Sequence, residues 1–305
     1  MLNEEGVIER CLHSIAREAL EQDEIIVVDN GSHDRSKEIV LRFKNVKVLE
    51  LKQKTIAALR NYGAACATGD ILGFIDADCL ISKGWRLHVC KNLSNANIAA
   101  TGSRCNLPQD SNWLQRAWVA QKARQPRLTT YLNSGNLAVK SAIFRKVQGF
   151  NENMPTDEDT DLCLRINTCG NAILEDPAVE AVHLGYPQTV REFYKRENWH
   201  AQGMGRTVTT AKLDKPFIMT AFLGLNIVIL VSLALFYRAH FTTNQLLAVS
   251  LILITLVPVI TAIYRSIEFR TVRYFPSLVL LYLVYYVARL HCMTRQVINH
   301  PRKIF

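Results

Sequence analysis

Two carboxylates close a short apolar segment near residue 75. The stretch GDILGFIDADC, residues 69–79, predicts a buried strand that ends in Asp76 and Asp78. Because alternate residues of an extended chain point to the same side, both carboxylates are expected to aim at one point. Two like charges aimed at one point favour a bound cation, so the pattern predicts a divalent metal site. A solvated acidic turn is the alternative that this motif alone leaves open.

A second group of acids lies in PTDEDTDLCLRI, residues 155–166. It precedes a predicted helix with Leu162 and Ile166 on one face. Acids in a first helical turn are favoured by the helix dipole, and this capping role is expected for Asp157 and Asp161. A carboxylate at the edge of a pocket can instead serve as a general base.

Alternating strands and helices are predicted to hold these acids. Strands are expected at 24–28, 46–51, 71–75 and 98–102, with Ser32 and Ser82 as N-caps of the helices that follow two of them. This alternation predicts an α/β fold with a mostly parallel sheet and helices on both faces. Ligands of such sheets bind beyond the carboxyl ends of the strands, where Asp29 also lies. The three acids are therefore expected to share one crevice.

The last third of the chain has a different composition. Residues 217–237 and 246–264 contain no charged side chain, and each run is close to the length that crosses a bilayer. A third run, 275–288, is shorter and is expected either to span or to lie in the membrane interface. The sequence thus predicts a soluble domain over residues 1–212 and membrane-anchoring helices with a basic tail over 213–305.

The charge of the chain is positive, at +9. Its basic residues are scattered and carry no nucleic-acid-binding signature, so no nucleic-acid partner is expected. Contact with anionic membrane lipids fits the basic residues before the first apolar run better. Those residues are Lys195, Arg196, Arg206, Lys212 and Lys215.

Loop charges predict the orientation of the membrane region. The loop near Arg238 carries little positive charge and is expected outside, which places the large domain in the cytoplasm. The basic residues expected on the cytoplasmic side are Arg265, Arg270 and Arg273 in the second loop and Arg295, Arg302 and Lys303 in the tail. The basic tail argues against full crossing by the third run. The eight cysteines form no C-x-x-C pair, so reduced thiols are expected rather than a zinc site.

Five segments together resemble a known family. In chain order they are NEEGVIERCLHSI, EIIVVDNGSHDRS, ALRNYGAACATGDILGFIDADC, NSGNLAVKSAIFRKVQGF and DEDTDLCLRI. Their types and order resemble the family 2 inverting glycosyltransferases, which have the Rossmann-like GT-A fold, and the resemblance covers roughly residues 3–185. It implies transfer of a sugar from a nucleotide diphosphate to an acceptor hydroxyl.

The resemblance implies a role for each donor-site residue. Asp29 matches the acid that contacts the nucleotide base, and Arg60 with Asn61 matches the segment that lines the nucleotide pocket. Asp76 matches the acid that contacts the ribose or helps hold the metal. Asp78 matches the acid that ligates Mg²⁺ or Mn²⁺ under the diphosphate, where the cation neutralises the leaving group.

The resemblance also implies the catalytic end of the site. Asp159, in the Glu158-Asp159 pair, matches the catalytic base that deprotonates the acceptor hydroxyl. Gly135 and Asn136 match a loop near the donor sugar, although an ordinary loop remains the alternative. His183 resembles a histidine sometimes found near the metal, and a buried structural histidine is equally consistent with its surroundings.

Two departures from the family pattern affect the prediction. An apolar strand normally precedes the Asn3-Glu4-Glu5 segment and is missing here, which is expected to reflect a true start upstream rather than a shortened copy. The Gln-x-x-Arg-Trp motif of processive polysaccharide synthases is also absent, the nearest match being residues 196–199. Transfer of a single sugar is therefore expected, to a sugar or lipid-linked acceptor.

Two other functions compete with a membrane-anchored glycosyltransferase. A sugar-nucleotide-forming transferase shares the doubly wound sheet, but it needs a glycine-rich basic phosphate loop that the N-terminal segment lacks. A catalytically impaired nucleotide-sugar-binding membrane protein is consistent with the missing strand. The retained acids Asp29, Asp76, Asp78 and Asp159 argue against it.

Overall fold

A computed structural model describes residues 1–119, 125–203, 215–236, 242–269 and 272–299. The chain divides into two compact units. Unit 1 comprises Met1–Asp110 and Gln121–Tyr186, and unit 2 comprises Ser111–Ala120 and Pro187–Phe305. The boundary predicted at 212/213 lies outside the described residues. The units divide the chain earlier, because residues 187–203 pack with the C-terminal helices.

Nine strands lie among the residues of unit 1 that the structure describes. They are β1 Ile25–Asp29, β2 Val46–Glu50, β3 Ile71–Ile75, β4 Cys79–Ile81, β5 Ile98–Gly102, β6 Arg127–Thr129, β7 Asn136–Lys140, β8 Ala172–Glu175 and β9 Ala181–His183. Eleven α-helices lie in the described ranges, and six of them belong to unit 1. The unit 1 helices are α1 Ile8–Ala16, α2 Ser36–Val40, α3 Ile56–Ala65, α4 Trp85–Leu93, α6 Ser141–Lys146 and α7 Glu158–Thr168. The unit 2 helices are α5 Trp113–Trp118, α8 Val190–His200, α9 Lys215–Phe236, α10 Thr243–Glu268 and α11 Phe275–Asn299.

The sheets of unit 1 are mixed. Five strands pair in the order β3-β7-β5-β8-β6, while β1 pairs with β2 and β4 pairs with β9. The β1–β2 and β5–β8 pairs are parallel, and the other pairs are antiparallel. The predicted α/β class is confirmed. The prediction of a mostly parallel sheet is wrong, because β7 inserts between β3 and β5 and runs antiparallel to both. Alternation of strands and helices along the chain does not encode that insertion.

An aromatic cluster fixes the end of β3 against α6. The ring of Phe74 lies 5.2 Å from that of Phe144 and 5.1 Å from that of Phe150. Leu162 and Ile166 of α7 are fully buried in the same core, as their helical spacing predicts. Each such side chain contributes roughly 1.5–3 kcal/mol through burial. The core therefore positions the acids at the start of α7 relative to the end of β3.

Two of the predicted helix caps, Ser32 and Ser82, are wrong. The hydroxyl of Ser32 donates to Asp29 instead of capping a helix, and α2 starts only at Ser36. The helix after β4 has Gly84 at its N-cap, in the left-handed conformation at φ 86°, in place of Ser82. At α7, Asp157 occupies the N-cap position without a capping hydrogen bond. Local acids and hydroxyls compete for several backbone partners, and spacing alone does not choose between them.

Asp161 lies in the first turn of α7, as predicted, where the helix dipole favours an acid. Its carboxylate also accepts hydrogen bonds from the guanidinium of Arg165 one turn later, at 2.6 and 2.9 Å.

Three helices of unit 2 are long and apolar enough to cross a membrane. The spans are Lys215–Phe236, Asn244–Glu268 and Val272–Gln296. The third is longer than the apolar run that predicted it. By length and composition it therefore meets the same requirement as the first two.

Aromatic packing organises unit 2. The ring of Trp118 lies 4.7 Å from Phe193 and 5.2 Å from Tyr282. Leu114 and Ala117 on the same helix are buried, so this face of α5 serves core packing.

Arg265 lies in a helix and not in the second loop, where the sequence predicts it. It lies within α10, and its guanidinium stacks 4.7 Å from the ring of Trp118 and donates to the Trp118 carbonyl. A long basic side chain near a helix end can reach such partners along an apolar surface. Six other basic residues named above lie outside the described residues: Arg206, Lys212, Arg238, Arg270, Arg302 and Lys303.

Candidate active site

The D-x-D segment forms a turn between β3 and β4. The N–H of Cys79 donates to the carbonyl of Asp76 at 2.9 Å, so the segment is not extended. The turn breaks the alternation of an extended strand, so that argument for a common aim fails, and a shared cation site for both carboxylates stays a prediction. Asp76 faces Arg60, and Asp78 faces His183. The two carboxylates remain close enough to interact, since burial and the charge of Asp76 raise the pKa of Asp78, against the opposing effect of His183.

Arg60 joins the two acidic segments of the sequence. Its guanidinium donates to Asp76 Oδ1 and to Glu158 Oε1, each at 2.6 Å. Its side chain is 14% exposed and that of Glu158 is 8% exposed, whereas that of Asp76 is 34% exposed. Such short charge-assisted bonds fix both acids in orientation. The structure therefore brings together three of the predicted residues across about a hundred positions of sequence.

Asp159 lies beside this ion-pair network with its own hydrogen-bond partners. Its Oδ2 accepts from the hydroxyl of Tyr131 at 3.0 Å and from the N–H of Ser134 at 3.4 Å. Its Oδ1 accepts from the N–H of Thr160 at 2.8 Å. Burial, followed by the charge of Glu158, raises the pKa of Asp159 to about 6, although Arg60 and Tyr131 oppose the shift. A carboxylate with this pKa is ionised at neutral pH and still basic enough to take a proton.

Asp78 and His183 form the arrangement best suited to a cation. Asp78 Oδ2 lies 3.5 Å from His183 Nε2, and His183 Nδ1 is buried without a hydrogen-bond partner among the described residues. A side chain at Gly185 would collide with Asp78 Oδ2, so the glycine keeps this space open. A carboxylate oxygen suits Mg²⁺ or Mn²⁺, and an imidazole nitrogen suits a transition-metal cation better than Mg²⁺. The residues present therefore fit a divalent cation.

Cys79 belongs to the same cluster but fits a ligand role poorly. Its ligand atom lies within 4.8 Å of those of Asp78 and His183. The neighbouring Cys105 thiol, 4.0 Å away, and burial raise the pKa of Cys79 far above its usual range. A metal ligand must be a thiolate, so Cys79 remains a buried thiol. All eight cysteines are free, as the sequence predicts.

Two residues near the acids have no role in the sequence prediction. Glu4 lies in the NEEG segment, and burial together with the charges of Asp78 and Asp76 raises its pKa to about 7. Tyr131 lies on the loop before β7 and reaches Asp159 through its hydroxyl. The position of Glu4 within a segment that resembles the family could have marked it as a site residue. No sequence pattern marks Tyr131, because its partner Asp159 lies 28 residues away along the chain.

Gly135 lies directly against Asp76. The N–H of Asp76 donates to the Gly135 carbonyl at 3.3 Å, and a Cβ at this position would fall 2.6 Å from Asp76 Oδ2. The adjacent Asn136 is fully buried instead. Its amide donates to Ser103 and accepts from the indole of Trp85 at 2.7 Å. Its side chain is thus occupied in the core, and it is placed to fix β7 rather than to meet a donor.

Asn61 and Asp29 also have internal partners. Asn61 exchanges hydrogen bonds with the backbone of Phe150 at 2.8 and 2.9 Å and so fixes the loop after α6. Asp29 is 1% exposed at the end of β1 and accepts from the Ser32 hydroxyl at 2.6 Å. These contacts stabilise two loops, and the nucleotide contacts that the resemblance implies for Asn61 and Asp29 stay predictions.

The arrangement has two chemically distinct ends. Asp78 and His183 can hold a cation, whereas Asp159 can accept a proton. Arg60 lies between Asp76 and the Glu158-Asp159 pair and separates the two functions electrostatically. This division suits a reaction in which a negative leaving group departs at one end and a proton is removed at the other.

Solved structures share the fold of this chain. A mannosyltransferase, PcManGT from Pyrobaculum calidifontis in complex with GDP-Man and Mn²⁺, superposes with a TM-score of 0.61 at 16% identity over 98% of this chain and 86% of that one. Residues 1–349 of S. aureus TarS in complex with UDP-GlcNAc superpose with a TM-score of 0.51 at 17% identity, over 98% of this chain and 90% of that one. The predicted GT-A fold is confirmed by these likenesses.

Sequence comparison identifies the family. Residues 1–147 match the family model for glycosyl transferase family 2, so this chain contains a glycosyl transferase family 2 domain. A pre-mycofactocin glycosyltransferase from Mycobacterium tuberculosis is 28% identical over 173 residues, which is 52% of this chain and 37% of that protein. Glycosyltransferase AglE from Haloferax volcanii is 33% identical over 107 residues, which is 33% of this chain and 35% of that protein. The chain thus spans little more than a third of the length of these curated relatives.

Proposed function

We propose that this chain transfers one sugar from a nucleotide diphosphate sugar to an acceptor hydroxyl, by a single displacement that inverts the anomeric centre. The observation that carries the proposal is Asp159. It is a buried carboxylate with a pKa of about 6, oriented by Tyr131 and by the N–H of Ser134. Perturbed carboxylate pKa values cluster at functional sites, and this one lies beside the ion pairs of Arg60.

Asp159 acts as the general base in this proposal. It takes the proton of the acceptor hydroxyl as the acceptor oxygen bonds to the anomeric carbon. The bond from that carbon to the diphosphate breaks at the same time, and the nucleotide diphosphate leaves with the electron pair. One displacement on the face opposite the leaving group gives inversion.

Asp78 and His183, with Asp76 beside them, are the residues that would hold a divalent cation. Such a cation, when bound, neutralises the charge that develops on the diphosphate. Both comparison structures were solved with a nucleotide sugar, and the mannosyltransferase also with Mn²⁺. Arg60 holds Asp76 and Glu158 in place throughout and prevents Glu158 from competing for the acceptor proton.

The proposed donor site is tested by thermal shift. The purified chain in detergent is heated with common nucleotide sugars, with and without Mn²⁺, as wild type, Asp78→Asn and Asp159→Asn. A donor at about 100 times its dissociation constant adds roughly 2.7 kcal/mol of stability. We expect one donor to shift the melt only with Mn²⁺, in wild type and Asp159→Asn but not in Asp78→Asn.

The same panel separates binding from transfer. Donor binding with no sugar transfer to any acceptor in a wild-type membrane extract would identify a nucleotide-sugar-binding protein. A shift that persists in Asp78→Asn would remove the cation site from the proposal.

We further propose that the chain is a multi-pass membrane protein with unit 1 in the cytoplasm, acting on a lipid-linked acceptor. Three helices long and apolar enough to span support the anchor. The exposed thiol of Cys169 in unit 1 offers the test. A membrane-impermeant maleimide should label it in inside-out vesicles and not in sealed cells, with Cys169→Ser as the control. Labelling of Cys169 in sealed cells would reverse the orientation.

A further inference from the structure

One face of α7 holds the loop that precedes β7. Asp159, Cys163 and Asn167 follow one another at intervals of four residues, so their side chains lie on the same face of the helix. The Cys163 thiol exchanges hydrogen bonds with the backbone of Leu132, each at 3.5 Å, and the Asn167 amide donates to the carbonyl of Thr130 at 3.2 Å. These contacts fix the loop against the helix that carries the proposed base.

Asn133 is an exposed residue of this loop, and its amide oxygen is fixed beside Asp76. Asn133 Oδ1 accepts from the N–H of Gly135 at 2.7 Å. A Cβ on this glycine would fall 2.6 Å from Asp76 Oδ2 and 2.9 Å from Asn133 Oδ1. One half of the Asn133 amide is therefore held by the glycine against which Asp76 packs.

The other half of the Asn133 amide meets Tyr131. Because Gly135 occupies the amide oxygen, the Nδ2 group is the half that remains to donate. Burial and the charge of Asp159 raise the pKa of Tyr131 well above its usual range, and the hydrogen bond with the Asn133 side chain opposes that shift. A hydrogen bond that favours the phenolate is one in which the amide N–H donates to the phenol oxygen.

The direction of the Tyr131 hydroxyl proton matters for Asp159. A hydroxyl has one proton, and when its oxygen accepts from an amide on one side, the proton points elsewhere. Here it points to Asp159 Oδ2, which lies 3.0 Å from the hydroxyl. A donated hydrogen bond stabilises the ionised carboxylate, which is the state that a general base needs.

The other ionisable groups around Asp159 do not orient this proton. They are Glu158, Arg60 and Cys163. After burial, the charge of Glu158 raises the pKa of Asp159 and that of Arg60 lowers it. Burial raises the pKa of Cys163 to about 12, so its thiol stays neutral. In the part of the chain that the structure describes, Asn133 is the side chain found to donate to the Tyr131 hydroxyl.

We infer that Asn133 is a positioning residue, which acts through Tyr131 to keep the hydroxyl proton directed at Asp159. The inference rests on the proposed function, because that function gives Asp159 the role of the base. It extends the base from one side chain to a hydrogen-bonded chain of three. Because the same amide binds Gly135, this chain also reaches the glycine beside Asp76.

The test follows the ionisation of Asp159 by nuclear magnetic resonance and needs no sugar transfer. The full chain in detergent is labelled with ¹³C at the ζ carbon of tyrosine. The resonance that is missing in Tyr131→Phe belongs to Tyr131, and its chemical shift should change with a midpoint near pH 6 in wild type. The test variants are Asn133→Ala, which removes both hydrogen bonds, and Asn133→Asp, which keeps an acceptor for Gly135 but has no amide N–H.

Two further variants serve as controls. Asn151→Ala is the matched control, because Asn151 is another exposed asparagine whose Oδ1 accepts from a backbone N–H two residues later, at 3.1 Å. Asp159→Asn identifies the titrating group, because the Tyr131 resonance should then show no midpoint near pH 6. Sugar transfer is measured on the same proteins between pH 5 and 8.

We expect Asn133→Ala to raise the midpoint by about half a pH unit, and Asn133→Asp to raise it further, because the new carboxylate repels the charge of Asp159. Asn151→Ala should keep the wild-type midpoint. An unchanged midpoint in both Asn133 variants, or a Tyr131 resonance that does not titrate in wild type, would overturn the inference.

Failure of the proposed function has a different signature. In that case Asp159→Asn would keep near-normal transfer, whereas the midpoint of the Tyr131 resonance would still move in the Asn133 variants. If both proposals hold, the rise of transfer with pH moves upward in Asn133→Ala and Asn133→Asp by the same amount as the resonance midpoint. A residue with only a structural role would lower transfer at every pH and leave the midpoint in place.

Discussion

The two units contain charge clusters of opposite composition. In unit 1 one guanidinium lies between two carboxylates, and Arg60 contacts Asp76 and Glu158 at 2.6 Å each. In unit 2 one carboxylate lies between two guanidiniums, and Glu197 contacts Arg289 and Arg196 at 3.4 and 3.6 Å. The first cluster thus has two carboxylates to one guanidinium, and its contacts are shorter than those of the second. The comparison teaches that the tightly held acids lie in unit 1, where the proposed cation site and general base also lie.

The tightness of the contacts differs for a physical reason. A buried carboxylate such as Glu158 must be paired, so Arg60 is held close by both of its partners. In unit 2, the buried carboxylate of Glu197 instead lies between Arg289 and Arg196 at longer distances. The variants that follow test the unit 1 side of this comparison, in order of decreasing expected effect.

Asp159→Asn should have the largest effect on transfer. The amide cannot accept the acceptor proton, and loss of a general base lowers rates by about 10²–10⁴-fold. Donor binding should be unchanged, because the amide keeps the size of the side chain and the proposed cation ligands Asp78 and His183 stay in place. Sugar transfer measured at saturating donor checks this, and near-normal transfer with intact donor binding would remove Asp159 from its proposed role.

Arg60→Met should destabilise unit 1 more than any surface change. It leaves the buried carboxylate of Glu158 without its cation, which costs about 3–5 kcal/mol. A thiol-reactive dye follows the unfolding, since seven of the eight cysteines lie in unit 1. Arg35→Met is the matched control, because its pair with Glu5 is exposed, and its melting midpoint should not move. A similar midpoint for both variants would show that Arg60 is not essential to the network.

Gly185→Ala should weaken donor binding in the presence of Mn²⁺ by roughly tenfold. The new methyl group would collide with the Asp78 carboxylate and displace it. A tenfold loss of affinity corresponds to about 1.4 kcal/mol. Gly6→Ala is the control, because a Cβ there meets no atom within 4 Å. Titration of the Mn²⁺-dependent donor checks both variants. If the two bind donor equally well, the position of Asp78 does not matter for the cation.

Tyr131→Phe should produce the smallest change, a shift in the pH profile. Asp159 works as a base only when ionised, so transfer should rise with pH through about 6 and level off above it. The Tyr131 hydroxyl stabilises the ionised form, and its removal should move this rise upward by about one pH unit. Transfer near pH 8 should stay close to wild type. A loss of rate at all pH values without a shift would assign Tyr131 a structural role only.

Much of this architecture could be predicted from the sequence. The apolar runs gave the three long helices of unit 2, and the order of motifs gave the family and the GT-A fold. Asp76, Asp78, Arg60 and the Glu158-Asp159 pair do come together, because strand ends and helix starts are set by local patterns that the sequence carries.

The remaining features depend on contacts between distant residues. The antiparallel insertion of β7 and the hydrogen bond from Tyr131 to Asp159 join segments without a shared local pattern. The turn at Asp76–Asp78 invalidates an argument that assumed an extended strand. Glu197 and Arg289 are 92 residues apart, and no spacing rule connects them.

The most direct test of the account measures where Mn²⁺ binds. Electron paramagnetic resonance follows Mn²⁺ added to the purified chain with UDP or GDP, as wild type, Asp78→Asn and Arg289→Gln. The account predicts a protein-bound Mn²⁺ signal in wild type that is lost in Asp78→Asn and kept in Arg289→Gln. Bound Mn²⁺ that survives in Asp78→Asn, or no bound Mn²⁺ with either nucleotide, would contradict the assignment of unit 1 as the cation-dependent donor site.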